Sequence, residues 1–241
     1  MTRLDVAWAE RWVRRAAAEI HARRDELTEL DRHVGDGDHG ANLDRGFAAV
    51  VARLDESDGA PRQTVGQVLG LVATTLMSTV GGAAGPLYGT AFLHASRVTG
   101  RASLDATGVV ALVEAAADGV VSRGRAEVGD KTMVDAWEPA VEAAGRAVAS
   151  GDPVDVLRAA ADGARQGAAS TVPLAAAKGR AAYLGGRSMG TEDPGARSTV
   201  LLLQAAVQAA VVVDASNDVS GGAANGASNR ASNRASNEAA S

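Results

Sequence analysis

Three carboxylates are crowded into the glycine-rich stretch Leu30–Asn42. The carboxylates are Asp31, Asp36 and Asp38, and the interleaved glycines are Gly35, Gly37 and Gly40. Glycine lets the backbone fold tightly and adopt positive φ angles, so such a stretch can direct several carboxylates at one point. Converging carboxylates repel one another unless a cation lies between them. Because Asp oxygens are hard ligands that suit Mg²⁺, the pattern predicts a divalent metal site.

The same stretch permits two other interpretations. It spells G-x-G-x-x-G from Gly35 to Gly40, the pattern of dinucleotide-binding loops. That fingerprint needs a preceding β-strand, which the residues before it do not resemble, and Asp36 and Asp38 would repel a bare pyrophosphate. The remaining alternative is a tight turn whose Asp side chains cap the next helix.

A second glycine-rich loop reads Gly124-x₄-Gly129-Asp130-Lys131-Thr132, close to the P-loop pattern. The true motif needs Lys directly after the second Gly and a strand before the loop, and neither is present. The loop could still contact a nucleotide, because exposed backbone N–H groups and helix N-termini attract phosphate. Taken alone, it is better explained as an ordinary loop.

Cationic side chains gather in a later loop that begins at Lys178 and also contains Arg180 and Arg187. The planar guanidinium of Arg presents paired donors that fit phosphate oxygens. These residues therefore indicate either a phosphate site or a solvated charged loop. His39 has a similar ambiguity, because it could donate to a phosphate or simply lie at a helix end. Asp193-Pro194-Gly195 has the composition of a turn that begins a helix.

Composition excludes several classes of protein. The 241 residues include no cysteine, which rules out disulfides, thiolate catalysis and Cys-ligated zinc. A net charge of −5 argues against sequence-independent nucleic-acid binding, and there is no basic amphipathic segment for a membrane surface. The most apolar run, Thr199–Val213, is shorter than the ~20 residues that span a bilayer, and the N-terminus lacks a signal-peptide pattern. We therefore expect a cytoplasmic protein.

The elements that must position these residues are helices. Aromatic residues make up only 3% of the chain, so its core must be built from Ala, Val and Leu, a composition that favours closely packed helices. Apolar residues recur at helical spacing in about eight segments, and no strand is persuasive. The predicted helices are Leu4–Arg23, Asn42–Leu54, one opened at Val65 by a Thr64/Gln67 capping box, one following the glycine-rich Gly81–Thr90 and ending near Thr99, Leu104–Ser122, Val134–Ser150, one from Pro153, and Ala196–Val213.

The special loops follow alternate helices in this order. In an up-and-down arrangement such loops all emerge at one end, so we expect the site at one end of an all-α helical barrel. We assign residues 1–215 to this domain. Residues 216–241 repeat Ala-Ser-Asn followed by Arg or Glu and contain almost nothing large and apolar, so we predict a disordered low-complexity tail.

Four segments together, and in this order, resemble one family: the nucleotide (ADP)-binding L subunit of dihydroxyacetone kinase. They are L-T-E-L-D-R-H-V-G-D-G-D-H-G-A-N, V-G-G-A-A-G-P-L-Y-G-T, S-R-G-R-A-E-V-G-D-K-T-M and K-G-R-A-A-Y-L-G-G-R-S-M-G-T-E-D-P-G-A. The resemblance covers essentially residues 4–213. It implies a barrel of eight antiparallel amphipathic helices with a nucleotide bound in the loops at one end.

The resemblance also implies roles for individual residues. It assigns Asp31, Asp36 and Asp38 to two Mg²⁺ ions, and a catalytic role to His39 and Arg180. The positions that it places at the ADP or ATP are His39, Gly40, Ala41, Asn42, Ala83, Ala84, Gly124, Met133, Arg180, Asp193, Pro194 and Gly195. One departure is that the family often has Ser where this chain has Ala84, which removes one possible phosphate contact.

In such a family the L subunit presents Mg–nucleotide to a separate K subunit that holds dihydroxyacetone. In one version, expected here, bound ADP is rephosphorylated in place by a phosphohistidine-carrying subunit of the phosphotransferase system. Another version consumes free ATP. The alternatives are a kinase subunit for a related ketose such as erythrulose, and a nucleotide sensor that binds a transcription regulator. We also expect a homodimer.

Overall fold

The computed structural model describes residues 4–56 and 61–221, with the backbone alone for 212–221. Within these ranges the chain is almost entirely helical, which confirms the predicted all-α class. The α-helices are α1 (Val6–Ala22), α2 (Arg24–Val34), α3 (His39–Asp55), α4 (Val65–Thr79), α5 (Ala84–Val98), α6 (Ala106–Gly124), α7 (Val134–Ala147), α8 (Pro153–Ser170) and α9 (Pro194–Gly221). Two 3-10 helices span Val148–Ser150 and Arg180–Ser188, and the short strands β1 (Leu4–Asp5) and β2 (Ser103–Leu104) pair antiparallel.

The helices pack in chain order. From α3 to α9 each helix contacts the next, and α9 returns to contact α1, which is the closed order that a ring of helices requires. Both α1 and α2 pack against α3 and α9, so these two helices lie end to end in a single pass. The barrel itself stays a prediction, but the pairwise packing is the one it needs.

The predicted helix Leu4–Arg23 is confirmed by α1, but the sequence did not predict the helix that follows it. The chain breaks its helical geometry at Arg23 and then forms α2, which sequence reasoning treated as part of the carboxylate loop. The buried stripe of α2 is formed by Leu27, Asp31 and Val34, at the spacing of a helical face. A carboxylate on that stripe hides the amphipathic pattern, and this is why the helix was missed.

The segment Gly81–Thr90 was also predicted wrongly, since α5 begins within it at Ala84. Glycine is unfavourable in a helix interior unless something requires its small size. At Gly85 a Cβ atom would collide with the backbone of Val80, and at Gly89 it would collide with the side chain of Met77. These glycines therefore let α5 pack closely against the end of α4.

Several helix starts have the expected capping chemistry. The Thr64 side chain accepts the Gln67 N–H while the Gln67 side chain accepts the Thr64 N–H, which confirms the predicted capping box. Asp5, Asp105 and Asp152 each accept an N–H from the first turn of α1, α6 and α8. Such caps satisfy donors that a helix end leaves without an intrahelical partner.

The core is built mainly from Ala, Val and Leu, as predicted, with a few large side chains between α1 and its neighbours. Trp8 and Trp12 stack with ring centroids 5.3 Å apart. Their Nε1 atoms donate to the carbonyls of Ala206 at 3.0 Å and Leu202 at 2.8 Å. These two bonds fasten the first helix to the last and close the order of packing.

The last helix is longer than predicted. Helix α9 runs from Pro194 to Gly221, whereas the sequence predicted Ala196–Val213. The domain boundary at residue 215 stays a prediction. The remainder of the predicted tail, residues 222–241, lies outside the described residues. Among the helices described here, none combines the length and apolar character that crossing a bilayer requires.

Candidate functional site

Four loops meet at one end of the molecule and enclose a cleft. They follow α2, α4, α6 and α8, so the extra helix changes their numbering but not the prediction that they share one end. The cleft is lined by Asp31, Val34, Gly35, Asp36, Asp38, His39, residues 81–84, Leu87, Lys131, Thr132, Met133, residues 178–181, Asp193, Pro194 and Gly195.

The three carboxylates converge as the sequence predicted. One oxygen from each of Asp31, Asp36 and Asp38 lies within 4.8 Å of the others. Oxygen ligands at this separation fit a hard divalent cation such as Mg²⁺, which accepts a few carboxylates and leaves positions for phosphate and water. The donor set therefore suits the metal that the sequence predicted.

Asp31 approaches the cleft from the last turn of α2. Its Oδ2 accepts the backbone N–H of Asp38 at 2.9 Å and of His39 at 3.1 Å, so Asp31 caps α3 from the neighbouring helix. Asp38 occupies the N-cap position of α3 but makes no capping bond with its own side chain. The capping alternative thus holds for Asp31, whereas the Asp38 carboxylate is left for the cleft.

Gly35 is required by its surroundings. A Cβ atom at this position would fall well within 3.0 Å of Asp31 Oδ1, closer than real Cβ atoms come to other atoms. Gly37 and Gly82 have φ angles of +73° and +66°, in the left-handed region that favours glycine. Gly35 therefore makes space for the Asp31 carboxylate, and Gly37 and Gly82 allow the tight backbone that the sequence indicated.

The cationic loop contributes two of its three predicted side chains. Lys178 and Arg180 line the cleft, and the Arg180 guanidinium makes an ion pair with Asp36. Arg187 is exposed and does not line the cleft. Arg180 is thus close enough to serve both the carboxylates and an incoming phosphate.

His39 is buried at the start of α3 and held by a hydroxyl network that sequence reasoning missed. Its Nε2 lies 2.9 Å from Ser198 Oγ, which in turn lies 2.6 Å from the Tyr88 hydroxyl. Burial lowers the pKa of His39 to about 4, against the opposing effect of Asp31 and Asp38. His39 is therefore neutral at pH 7 and offers one N–H donor. No sequence signal links it to Ser198, which lies 159 residues away.

Lys131 was noticed only as part of a near-P-loop, and its position differs from that of a P-loop lysine. It is 1% exposed and its φ angle is +60°. Its Nζ donates to the backbone carbonyl of Thr171 at 2.6 Å and to that of Thr191. The ammonium thus contacts the loop after α8.

Asp193 lies partly buried near Lys131 at the start of α9. Its Oδ2 accepts the Ala196 N–H at 2.7 Å. Burial raises the pKa of its carboxyl to about 7, although the Ala196 bond and the Lys131 charge oppose the shift. Pro194 and Gly195 follow it along the cleft, and their contact with a nucleotide stays a prediction.

A more apolar cavity adjoins the cleft and shares six residues with it: Ala83, Leu87, Thr132, Met133, Lys178 and Gly179. Its other lining residues are Pro86, Val120, Arg123, Gly124, Ala126 and Val134. A flat aromatic ring suits such a surface, while phosphates suit the charged cleft beside it. The predicted residues Gly124 and Met133 are on this apolar side.

Three predicted nucleotide-contact residues do not line either cavity. Gly40 packs against α2, where a Cβ atom would collide with the Arg24 carbonyl. Ala41 is exposed, and the buried Asn42 accepts a bond of 2.7 Å from Arg45. Their contact with a nucleotide stays a prediction.

Sequence comparison places this arrangement among known proteins. Residues 33–208 match the model of the DAK2 domain family. The chain is 43% identical over 195 residues to the PEP-dependent dihydroxyacetone kinase ADP-binding subunit DhaL of Escherichia coli, a match that covers 80% of this chain and 91% of the relative. It is 40% identical to the corresponding subunit of kinase 1 from Listeria innocua, over 85% of this chain and 96% of that protein.

Structural comparison gives the same family. The fold matches the crystal structure of the dihydroxyacetone kinase from C. freundii in complex with AMP-PNP and Mg²⁺, with a TM-score of 0.61 and 25% identity. The match covers 84% of this chain but only 33% of that longer chain. With the DAK2 match and the extensive identity to ADP-binding subunits, this chain belongs to the DhaL family of dihydroxyacetone kinase subunits.

Proposed function

We propose that this chain is the nucleotide-binding subunit of a dihydroxyacetone kinase, a phosphotransferase that acts together with a sugar-binding partner. The observation that carries the proposal is the convergence of the Asp31, Asp36 and Asp38 carboxylates in a cleft beside an apolar cavity. One end of this combined pocket suits metal-bound phosphates, and the other suits a nucleobase.

In the proposed complex each side chain has a separate task. The three Asp carboxylates would hold Mg²⁺, one or two ions, which when bound neutralises charge on the nucleotide phosphates. Arg180 presents its guanidinium to the transferring phosphoryl group and stabilises the charge that develops on its oxygens. His39 is neutral, and the contacts of its ring with Ser198 Oγ and with the Pro194 backbone fix its orientation beside the phosphates.

The remaining contacts bind and orient the nucleotide. The backbone of residues 81–84 forms the cleft wall where α5 begins, and a helix N-terminus attracts phosphate. Gly124 and Met133 line the apolar cavity where the base would lie and exclude water from it. Gly40, Ala41 and Asn42 lie in the first turn of α3, and the Asn42 side chain lies near Gly81 and Gly82 of the cleft wall.

We propose two partners, in keeping with the PEP-dependent names of the relatives. One holds dihydroxyacetone, and the other is a phosphohistidine-carrying subunit of the phosphotransferase system that rephosphorylates bound ADP. Phosphoryl transfer between chains requires the cleft to be reached from outside, and its four loops lie together at one end. We place the protein in the cytoplasm and expect a homodimer.

Native mass spectrometry and a coupled assay test this proposal. We expect the purified chain to retain ADP and, with a sugar-binding subunit and a phosphohistidine donor, to phosphorylate dihydroxyacetone. Asp36→Ala should lose the retained ADP and the transfer. A chain that carries no nucleotide and transfers only from added ATP would overturn the recycling of ADP. Transfer that is unchanged in Asp36→Ala would overturn the site.

A further inference from the structure

Lys131 has an environment that ordinary surface lysines avoid. It is 1% exposed, and it is one of two described residues other than glycine with a positive φ angle. A side chain other than glycine is unfavourable in this backbone conformation and persists only where the surroundings enforce it. A buried ammonium likewise needs compensating partners. Both features indicate that the position of this ammonium matters.

The partners of the ammonium are backbone carbonyls at the two ends of one loop. Thr171 is the C-cap of α8, where the loop begins, and Thr191 lies two residues before Asp193, where the loop ends. Asp193, Asp135 and Glu192 surround the same charge and favour its protonated form, although burial lowers the pKa of Lys131. One side chain thus draws together both ends of the segment 171–193.

Three neighbouring bonds also hold the segment 171–193, one to the loop after α6 and two between its own ends. The Asp130 carbonyl accepts the Ala177 N–H at 3.0 Å, and Val172 accepts the Gly190 N–H at 2.8 Å. Thr171 Oγ1 accepts the Asp193 N–H at 2.9 Å. All three amide donors belong to the segment that Lys131 closes. Their hydrogen-exchange rates therefore measure how firmly the segment is held.

The segment carries Arg180, which is paired with Asp36 of the carboxylate triad. We propose that Lys131 is a positioning residue for phosphoryl transfer: it closes the segment 171–193 and thereby holds Arg180 at the triad. Its position differs from that of a P-loop lysine, because two of its three N–H donors bond to the backbone carbonyls of Thr171 and Thr191. The activity part of this inference rests on the proposed function, whereas the loop part does not.

Two variants remove the ammonium in different ways. Lys131→Met keeps most of the side-chain volume, and Lys131→Gly relieves the backbone because glycine accepts a φ of +60°. An effect that the two share is due to the lost ammonium. Lys178→Met is the matched control, since Lys178 also lines the cleft but is exposed and makes no described bond to the loop after α6.

Hydrogen exchange on the nucleotide-free protein tests the loop directly. We expect the Ala177, Gly190 and Asp193 amides to exchange about tenfold faster in both Lys131 variants, and at the wild-type rate in Lys178→Met. Unchanged exchange in the Lys131 variants would overturn the proposal. Global unfolding of both variants, seen by circular dichroism, would overturn it as well, because Lys131 would then hold the whole fold.

A double-mutant cycle with Arg180→Met tests the route of action. We expect Lys131→Met to lower kcat/KM for the phosphohistidine donor about tenfold, and to lower it little further once Arg180 is removed. Additive effects would overturn the route through Arg180, because they would show that the two residues act independently. Lys178→Met should be additive with Arg180→Met. If the wild-type chain transfers no phosphoryl group, the proposed function fails while the exchange result still decides the role of Lys131.

Discussion

Asp31 Oδ2 accepts the backbone N–H of His39 at 3.1 Å, so a candidate metal ligand in α2 also caps the first residue of α3. The same oxygen accepts the Asp38 N–H at 2.9 Å. Asp31 therefore combines a structural and a chemical task, whereas the exposed Asp36 accepts no described backbone bond. Substitutions can separate these two tasks.

Asp31→Ala should lower the free energy of unfolding by about 1–3 kcal/mol, because it leaves two backbone N–H groups without their acceptor. Asp31→Asn retains an acceptor oxygen, and Asp36→Asn removes no backbone bond, so both should change stability by less than about 1 kcal/mol. All three should lose Mg²⁺-dependent ADP binding. Urea unfolding and calorimetric titration measure the two effects. Equal stability of Asp31→Ala and Asp36→Asn would contradict the capping role.

Gly35→Ala should weaken Mg²⁺-dependent ADP binding by about tenfold, equivalent to about 1.4 kcal/mol. The reason is that the new methyl group would displace the Asp31 carboxylate. The control is Gly145→Ala in the exposed face of α7, where a Cβ atom meets nothing within 4 Å. That control should leave binding unchanged and stabilise the protein by about 0.5–1 kcal/mol. Wild-type affinity in Gly35→Ala would show that the space is not needed.

Asp193 should make stability depend on pH. Burial raises the pKa of its folded carboxyl to about 7, above the value of about 3.9 in an unfolded chain. Between these values the folded state keeps a proton that the unfolded state releases. The stability due to this group therefore decreases as pH rises from about 4 to about 7, by at most about 1.4 kcal/mol per pH unit.

Asp193→Asn cannot ionise and should lose this dependence. In urea unfolding of the nucleotide-free protein, the variant should gain stability relative to wild type as pH rises from 4 to 7, and the difference should be constant above that range. A difference that does not change with pH would mean that the Asp193 carboxyl is already ionised in the acidic range.

Tyr183 should anchor the sugar-binding partner. It is 89% exposed and belongs to the same 3-10 helix as Arg180, at the edge of the cleft. Exposed Tyr side chains are frequent anchors of interfaces, and truncating one costs about 2 kcal/mol.

Tyr183→Ala should raise the KM for the partner subunit about tenfold in the coupled assay and leave ADP binding unchanged. Val98→Ala, an exposed position at the other end of α5, is the control. An unaltered KM in Tyr183→Ala would exclude this residue from the interface.

Sequence patterns predicted the parts of the fold that depend on local periodicity and capping. Thr64 and Gln67 are an example, because a capping box requires only residues three apart. Gly85 and Gly89 show the limit of such reasoning: both lie inside a helix, and the reason is a close approach to Val80 and Met77 that local composition does not reveal. The sequence shows which residue occupies each position, but it does not show which residue packs against it in the fold.

The site residues likewise divide into those that sequence patterns could identify and those that they could not. Asp31, Asp36 and Asp38 could be found because they are close in sequence, and the resemblance supplied Arg180, which contacts them. Lys131 was not identified, because a lysine is ordinarily solvated and its acceptors are backbone carbonyls with no side-chain signature. Long-range contacts to backbone atoms are the part of a site that sequence patterns record least.

The connection between α7 and α8 lies at the end of the molecule opposite the cleft, where inserted sequence should be tolerated better than in the cleft loops. The Val148–Ser150 turn is followed by exposed Gly151, whose φ angle is +72° and near which a Cβ atom would find open space. Such surface turns accept inserted sequence because few contacts depend on them. A reporter peptide or fusion partner placed there would stand clear of the four cleft loops. The protein could therefore be immobilised or labelled at that turn while its partners retain access to the cleft.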